Sequence, residues 1–139
     1  MEVTFYASQD IDDSLLTYVA IVSRYRGKWI FCKNKDRKAW ELPGGRREPN
    51  EAISDTAERE LFEETGAITF DITPLCVYSV KQESETFGML FFAQVTELDD
   101  LPESEIEEIA FFQDNPSDLA FPLLQPQLIN WVKNRLSIE

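Results

Sequence analysis

The chain has 139 residues, 43% apolar and 28% charged, which suits one soluble globular domain with a single core, residues 1–139. It contains no histidine. That absence removes Ser-His and Cys-His nucleophilic mechanisms, imidazole acid–base chemistry and the usual zinc sites. A net charge of −13 disfavours duplex nucleic acid but still admits a short polyanion neutralised locally by metal ions.

The first ten residues, Met1 to Asp10, have neither a basic start nor a long apolar run, so no signal peptide is expected. No stretch approaches the length of a membrane span. A cytoplasmic location follows, with Cys32 and Cys76 as two buried free thiols.

Leu15 to Tyr25 is rich in β-branched and aromatic residues and reads as a buried strand. Arg26-Gly27-Lys28 is a turn, and Trp29 to Lys33 is the returning strand of a hairpin. Trp40-Glu41-Leu42 is a short strand that stops at Pro43-Gly44-Gly45, followed by a loop over 46–50. From Glu51 to Thr65 there is no Gly or Pro and many helix formers, and Gly66 is a natural stop. Ile68 to Val80, broken at Pro74, and Thr86 to Val95 read as strands joined by a polar connection. Glu97 to Glu105 is an acidic loop, and Ile106 to Gln113 is one more strand. Leu124, Leu128, Ile129, Val132 and Leu136 recur at helical spacing, so an amphipathic helix is expected over 122–136. This order lacks regular βαβ alternation; an α/β fold with a mixed sheet between helices fits it better.

The central helix carries most of the chemistry. At 100° per residue Glu60, Glu63 and Glu64 fall within one arc, next to the apolar stripe of Ile53, Ala57 and Leu61. Like charges at these spacings cost a few tenths of a kcal/mol per pair, roughly. They also sit near the helix C-terminus, where the macrodipole disfavours anions. Cations offset such penalties, and hard oxygen ligands select Mg²⁺ or Mn²⁺.

Gly45, Glu51, Arg59, Glu60, Leu61, Glu63, Glu64 and Gly66 together form one fixed spacing. Its chance occurrence on ordinary residue frequencies is below roughly 10⁻⁵. Residues 45–67 resemble the Nudix box, G-x5-E-x7-R-E-U-x-E-E-x-G-U, where U is bulky and aliphatic. Ala67 departs at the last position, and Ile68 follows it. The preceding Trp40-Glu-Leu-Pro-Gly-Gly45 resembles the entry to the box in MutT-like members.

The resemblance implies a Nudix α/β/α sandwich and hydrolysis of a nucleoside diphosphate linked to another moiety. By position it implies that Glu60, Glu63, Glu64 and the Gly44 carbonyl bind divalent cations, Mg²⁺ with Mn²⁺ as substitute. Glu60 or Glu64 would be general base, since members differ. Arg59, paired with Glu51, would orient the glutamates; Gly45 and Gly66 are structural in the motif. Arg46 is placed to touch a phosphate. A further carboxylate from the acidic loop would complete the metal site, Glu103 first and Glu105 second.

The box does not select the substrate. The markers of ADP-ribose, dinucleoside polyphosphate and coenzyme A hydrolases are missing; Gln82 and its neighbours occupy the first of these positions. The MutT-like entry favours a small nucleotide, a nucleoside triphosphate such as 8-oxo-dGTP. Gln125, in Phe121-Pro-Leu-Leu-Gln125, is a candidate for the purine edge. Trp29, Trp40 and Phe5 are candidates for stacking, though each also reads as a core aromatic. A diphosphate substrate such as ADP-ribose, a nucleotide-binding regulator without turnover, and an enzyme acting on RNA 5′ ends remain alternatives, the last disfavoured by charge. The exposed aromatics and an N-terminal strand leave a homodimer open.

Overall fold

In the computed structural model, which describes residues 1–137, the strands are β1 (Glu2–Tyr6), β2 (Leu16–Tyr25), β3 (Lys28–Asn34), β4 (Trp40–Glu41), β5 (Gly44–Arg46), β6 (Ala67–Lys81), β7 (Glu85–Leu98) and β8 (Ile106–Phe112). The helices are α1 (Ile53–Thr65) and α2 (Gln125–Leu136). One sheet runs β1-β6-β7-β2-β3-β4, with β5 also paired to β2 and β8 to β3. It is mixed, because β2 and β7 are parallel while the other pairings are antiparallel.

The β2–β3 hairpin explains how the centre of the molecule is built. Arg26 (φ 52°) and Gly27 (φ 78°) both take positive φ, as a tight two-residue hairpin turn requires. The two strands then pair only at Arg24–Trp29 and Tyr25–Lys28. Beyond that they separate, and residues 40–46 fill the fork: β4 pairs with β3 and β5 pairs with β2. Gly44 and Gly45 are therefore a strand in the middle of the sheet, not the turn that their sequence suggests. The pairing partners lie some twenty-five residues away, which a local reading does not see.

Alternation along β2 and β7 divides the core in two. Val19, Ile21, Met89 and Phe91 pack with Ala57 and Leu61 of α1. Ala20, Val22 and Leu90 pack with Leu128, Ile129 and Val132 of α2. A sheet covered on both faces needs such continuous apolar strands, and each large side chain fully buried contributes about 1.5–3 kcal/mol. This is the expected α/β/α sandwich. Cys32 and Cys76 are free and buried, as expected.

Several boundaries differ from the sequence reading. β6 runs unbroken through Pro74, whose effect is limited to a register shift before Cys76. β1 covers only residues 77–81 of β6, so Pro74 lies where the other edge is free and its missing N–H is not needed. α1 starts at Ile53 instead of Glu51, and α2 at Gln125 instead of Pro122, with Pro126 in its first turn. Among the described residues no helix is long and apolar enough to cross a membrane.

Candidate active site

α1 turns Thr56, Ala57, Glu60, Leu61 and Glu64 inward. Glu60 is 9% and Glu64 4% exposed, so two carboxylates of the arc lie at the edge of the core. Glu63, beside them, is half-exposed. Gly66 ends the helix in the left-handed conformation (φ 80°), and its N–H donates to the Phe62 carbonyl at 2.8 Å. Gly66 also anchors the acidic loop, since its carbonyl accepts from Asp99 N–H at 2.8 Å. At the other end of that loop the Glu105 carbonyl accepts from Lys35 N–H at 2.8 Å. The loop is thereby held against the helix, and a cleft of about 350 Å³ opens between Arg59, Glu60, Glu63 and Glu64 on one side and Glu103 and Glu105 on the other.

Arg59 organises the carboxylates. It donates to both oxygens of Glu51 (2.7 and 3.0 Å), to Glu60 (2.6 Å), to Glu63 (2.8 Å) and to the Arg46 carbonyl (3.1 Å). The bidentate bond from Arg59 holds Glu51 down at about 2, helped by Glu48 N–H and Thr56. Arg59 itself is held firmly protonated, chiefly by Glu51. Glu64 instead accepts from Gly44 N–H at 2.8 Å.

Burial pushes Glu60 up to about 7; Arg59 opposes the shift, and Glu63 and Glu105 add to it. Burial pushes Glu64 up to about 8; Gly44 N–H opposes it, and Glu60, Glu41 and Glu105 add. Glu105 adds its charge to both glutamates. Glu103 lines the same cleft.

Among the described residues no three acidic side chains already converge on one point. The bonds explain why: Glu60 and Glu63 are drawn onto Arg59, and Glu64 onto Gly44. Even so the donor set suits a divalent cation. Crowded hard carboxylates, two of them shifted toward the neutral form by burial, are what a bound cation would stabilise in the charged form.

On the other side of β5 lies a second cavity of about 260 Å³, whose wall includes Gly44, Gly45, Glu41, Arg37, Tyr78 and Gln125. Gln125 is 5% exposed and its Oε1 is buried without a partner. A more apolar hollow of about 430 Å³ adjoins it and shares Tyr18, Tyr78, Phe121 and Leu124. Arg46 lies on Tyr18, a residue shared by both cavities, with Nη1 3.3 Å from the hydroxyl; Arg46 itself lines the concavity between residues 13–17 and 46–52.

The structure thus gathers Glu60, Glu63, Glu64, Arg59, Glu51, Gly44, Gly45 and Glu103 in one region, with Gln125 in the wall of the neighbouring cavity and Arg46 reaching it only through Tyr18. It places Trp29, Trp40 and Phe5 in packing roles. Trp29 is 2% exposed, Trp40 meets Phe112 edge-on, and Phe5 stacks on Trp131. The aromatic walls are Tyr18, Tyr78 and Phe121, which only their position after folding reveals. A wider concavity, about 840 Å³, lies between residues 13–17 and 46–52. Its Arg47 is spent on Glu51, Leu16 and Asp13, while Arg46 also lines it.

The NUDIX domain family model matches residues 15–132. The Bacillus subtilis (strain 168) protein named "Putative 8-oxo-dGTP diphosphatase YtkD" is 35% identical over 83 residues, 59% of this chain and 52% of its own length. A second protein of that strain, named "Putative 8-oxo-dGTP diphosphatase", is 36% identical over 67 residues, 48% of this chain and 44% of its own. The chain spans about half the length of these curated relatives. In fold, it is similar to a mutant form of the Bacillus subtilis pyrophosphohydrolase BsRppH, with a TM-score of 0.81 over 99% of this chain and 93% of that one at 24% identity. It is also similar to the NUDIX domain of Shewanella oneidensis NrtR complexed with ADP ribose, with a TM-score of 0.66 over 94% of each chain at 19% identity. With the family match running from β2 into α2 and the helix of the box lining the carboxylate cleft, the chain belongs to the Nudix family.

Proposed function

We propose that this chain is a divalent-cation-dependent Nudix pyrophosphohydrolase that cleaves a nucleoside triphosphate, foremost an oxidised purine nucleotide such as 8-oxo-dGTP. One observation carries the reading. Gly44 and Gly45 line the 260 Å³ cavity while Gly44 N–H bonds Glu64 and Gly45 abuts Glu60 of the carboxylate cleft, an arrangement that suits a phosphate chain on the carboxylates joined to a nucleoside in the cavity. The names of the two Bacillus subtilis relatives support the same substrate class.

Glu60, Glu63, Glu64 and the Gly44 carbonyl would hold Mg²⁺ or Mn²⁺, with Glu105 or Glu103 reaching in from the loop. The bound cations would supply charge neutralisation along the phosphates and a more acidic water. Arg59 keeps the glutamates in place through Glu51 and releases Glu60 and Glu63 when a stronger cation competes. Glu60 and Glu64 are the two candidates for general base; burial raises both in the metal-free protein, and bound cations would return them to the charged form that can accept a proton. Arg46 leaves Tyr18 to meet a phosphate oxygen. Gln125 Oε1 bonds the edge of the base.

The test is release of pyrophosphate against phosphate from dNTPs, 8-oxo-dGTP, ADP-ribose, diadenosine polyphosphates and 5′-triphosphorylated RNA, with Mg²⁺ or Mn²⁺. Pyrophosphate from a triphosphate, fastest with 8-oxo-dGTP, is the expected result. Turnover restricted to ADP-ribose or to RNA would move the chain to another Nudix branch. Nucleotide binding without any turnover would make it a regulator.

A further inference from the structure

The cavity beside β5 holds a charged group that the reaction above does not use. Glu41 on β4 is 6% exposed, and both its oxygens accept from Arg37, from Nε at 2.9 Å and Nη2 at 2.8 Å. The strand does not need this carboxylate, because β4 pairs with β3 through backbone groups. Glu41 is buried while Arg37 is half-exposed, so the carboxylate bears a desolvation penalty that a partner at the surface offsets only in part.

Gln125 lines the same cavity, and its buried Oε1 has no partner. Such an orphan is destabilising until a donor meets it. Tyr78 and Phe121 supply flat apolar walls, and the Arg37 guanidinium rests over the Phe121 ring at 5.3 Å. The cavity therefore combines a flat slot with carboxylate and amide oxygens that both accept. It suits a planar ligand whose edge donates.

Purines differ in this respect. Guanine carries N1–H and a 2-amino group, hypoxanthine carries N1–H alone, and adenine carries only a 6-amino group. We propose that Glu41 is the specificity residue of this cavity: with both oxygens already held by the Arg37 fork, its carboxylate accepts through a remaining outer lone pair from the 2-amino group of a guanine-type base, and Arg37 fixes its orientation. Gln125 Oε1 takes a remaining donor, the second 2-amino hydrogen or, in an 8-oxo base, N7–H. The inference rests on the cavity being the nucleoside site.

The test is calorimetric binding of dGMP, dIMP and dAMP to the full chain with Mg²⁺, which needs no turnover. The native protein should bind dGMP about tenfold or more tightly than dIMP, for the lost amino group, and dAMP no better than dIMP. Glu41→Gln, which keeps the shape but offers a donor, should erase most of that preference. A purely structural Glu41 would lower thermal stability and leave the dGMP to dIMP ratio unchanged. Equal Kd values for all three nucleotides in the native protein would overturn the role of Glu41 and leave the nucleoside site standing. Binding of none would overturn both.

Discussion

Gly45→Ala separates the chemistry of the site from its scaffold. A Cβ at Gly45 would stand 2.3 Å from Glu60 Oε2, 2.5 Å from Cδ and 2.9 Å from Oε1, where ordinary contact begins at 3.4 Å. The carboxylate has to retreat by about 1 Å. Gly45 does not have positive φ, so the backbone accepts alanine, and the obstacle is the mobile end of one side chain. The fold should keep its melting temperature within a few degrees. A displacement of about 1 Å at a reacting group costs about 10² in turnover, or about 2.7 kcal/mol of barrier. Gly44→Ala is the counterpart. Its Cβ would meet the Val19 carbonyl at 2.3 Å and Ala20 Cα at 3.2 Å, both backbone, so β5 has to leave β2. That variant should lose about 1–3 kcal/mol of stability, as overpacking does. The assay is metal-dependent pyrophosphate release alongside thermal unfolding. Full turnover in a stably folded Gly45→Ala protein would remove Glu60 from the reacting site.

Glu105→Gln should lower kcat by about tenfold or more and weaken Mg²⁺ activation, with Glu103→Gln milder, because the Glu105 charge reaches Glu60 and Glu64. The reverse order in a metal titration of both variants would give Glu103 that place. Glu51 has its folded pKa near 2, below its ordinary 4.5, so its pair with Arg59 stabilises the fold fully above about pH 4.5. About 2–3 kcal/mol should be lost as pH falls toward 2; denaturant midpoints of native and Glu51→Gln proteins should converge there. Glu60 and Glu64 have the opposite sign. Their folded values lie above 4.5, so the metal-free fold should lose stability as pH rises through about 7 and 8, and excess Mg²⁺ should flatten that fall. A metal-independent pH profile would count against cation binding by these groups. Arg59→Ala should cost about 3 kcal/mol or more, since it strands Glu51 with 14% of its side chain exposed; a midpoint like that of the native protein would refute this.

Sequence periodicity revealed the parts whose causes are local. The α1 stripe of Ala57 and Leu61, the adjoining glutamates and the Gly66 stop all follow from spacing within thirteen residues. The strand character of β2 and β7 was equally visible, because both faces are buried and apolar. What escaped depends on distant partners. Gly44–Gly45 looks like a turn until β2 and β3 separate and receive it as a strand. Pro74 looks like a break until β6 is found with one free edge. The nucleoside-sized cavity draws Tyr18 from β2, Tyr78 from β6 and Phe121 from the segment before α2, so no window of sequence displays it. The position of Gln125 at the start of an amphipathic helix is legible in sequence, but the cavity it lines is not. The choice between Glu103 and Glu105 was not, since a loop has no periodicity to say which side chain faces the helix.

The central claim is that the carboxylates of α1 carry out cation-dependent cleavage of a nucleotide. Its most direct test is the rate of pyrophosphate release from 8-oxo-dGTP as Mg²⁺ is added, in the native protein and in Glu64→Gln, with both folds checked by thermal unfolding. The account predicts turnover that rises and saturates with Mg²⁺ and falls by about 10² or more in the variant. A folded Glu64→Gln protein that keeps the native rate and the native Mg²⁺ dependence would contradict it.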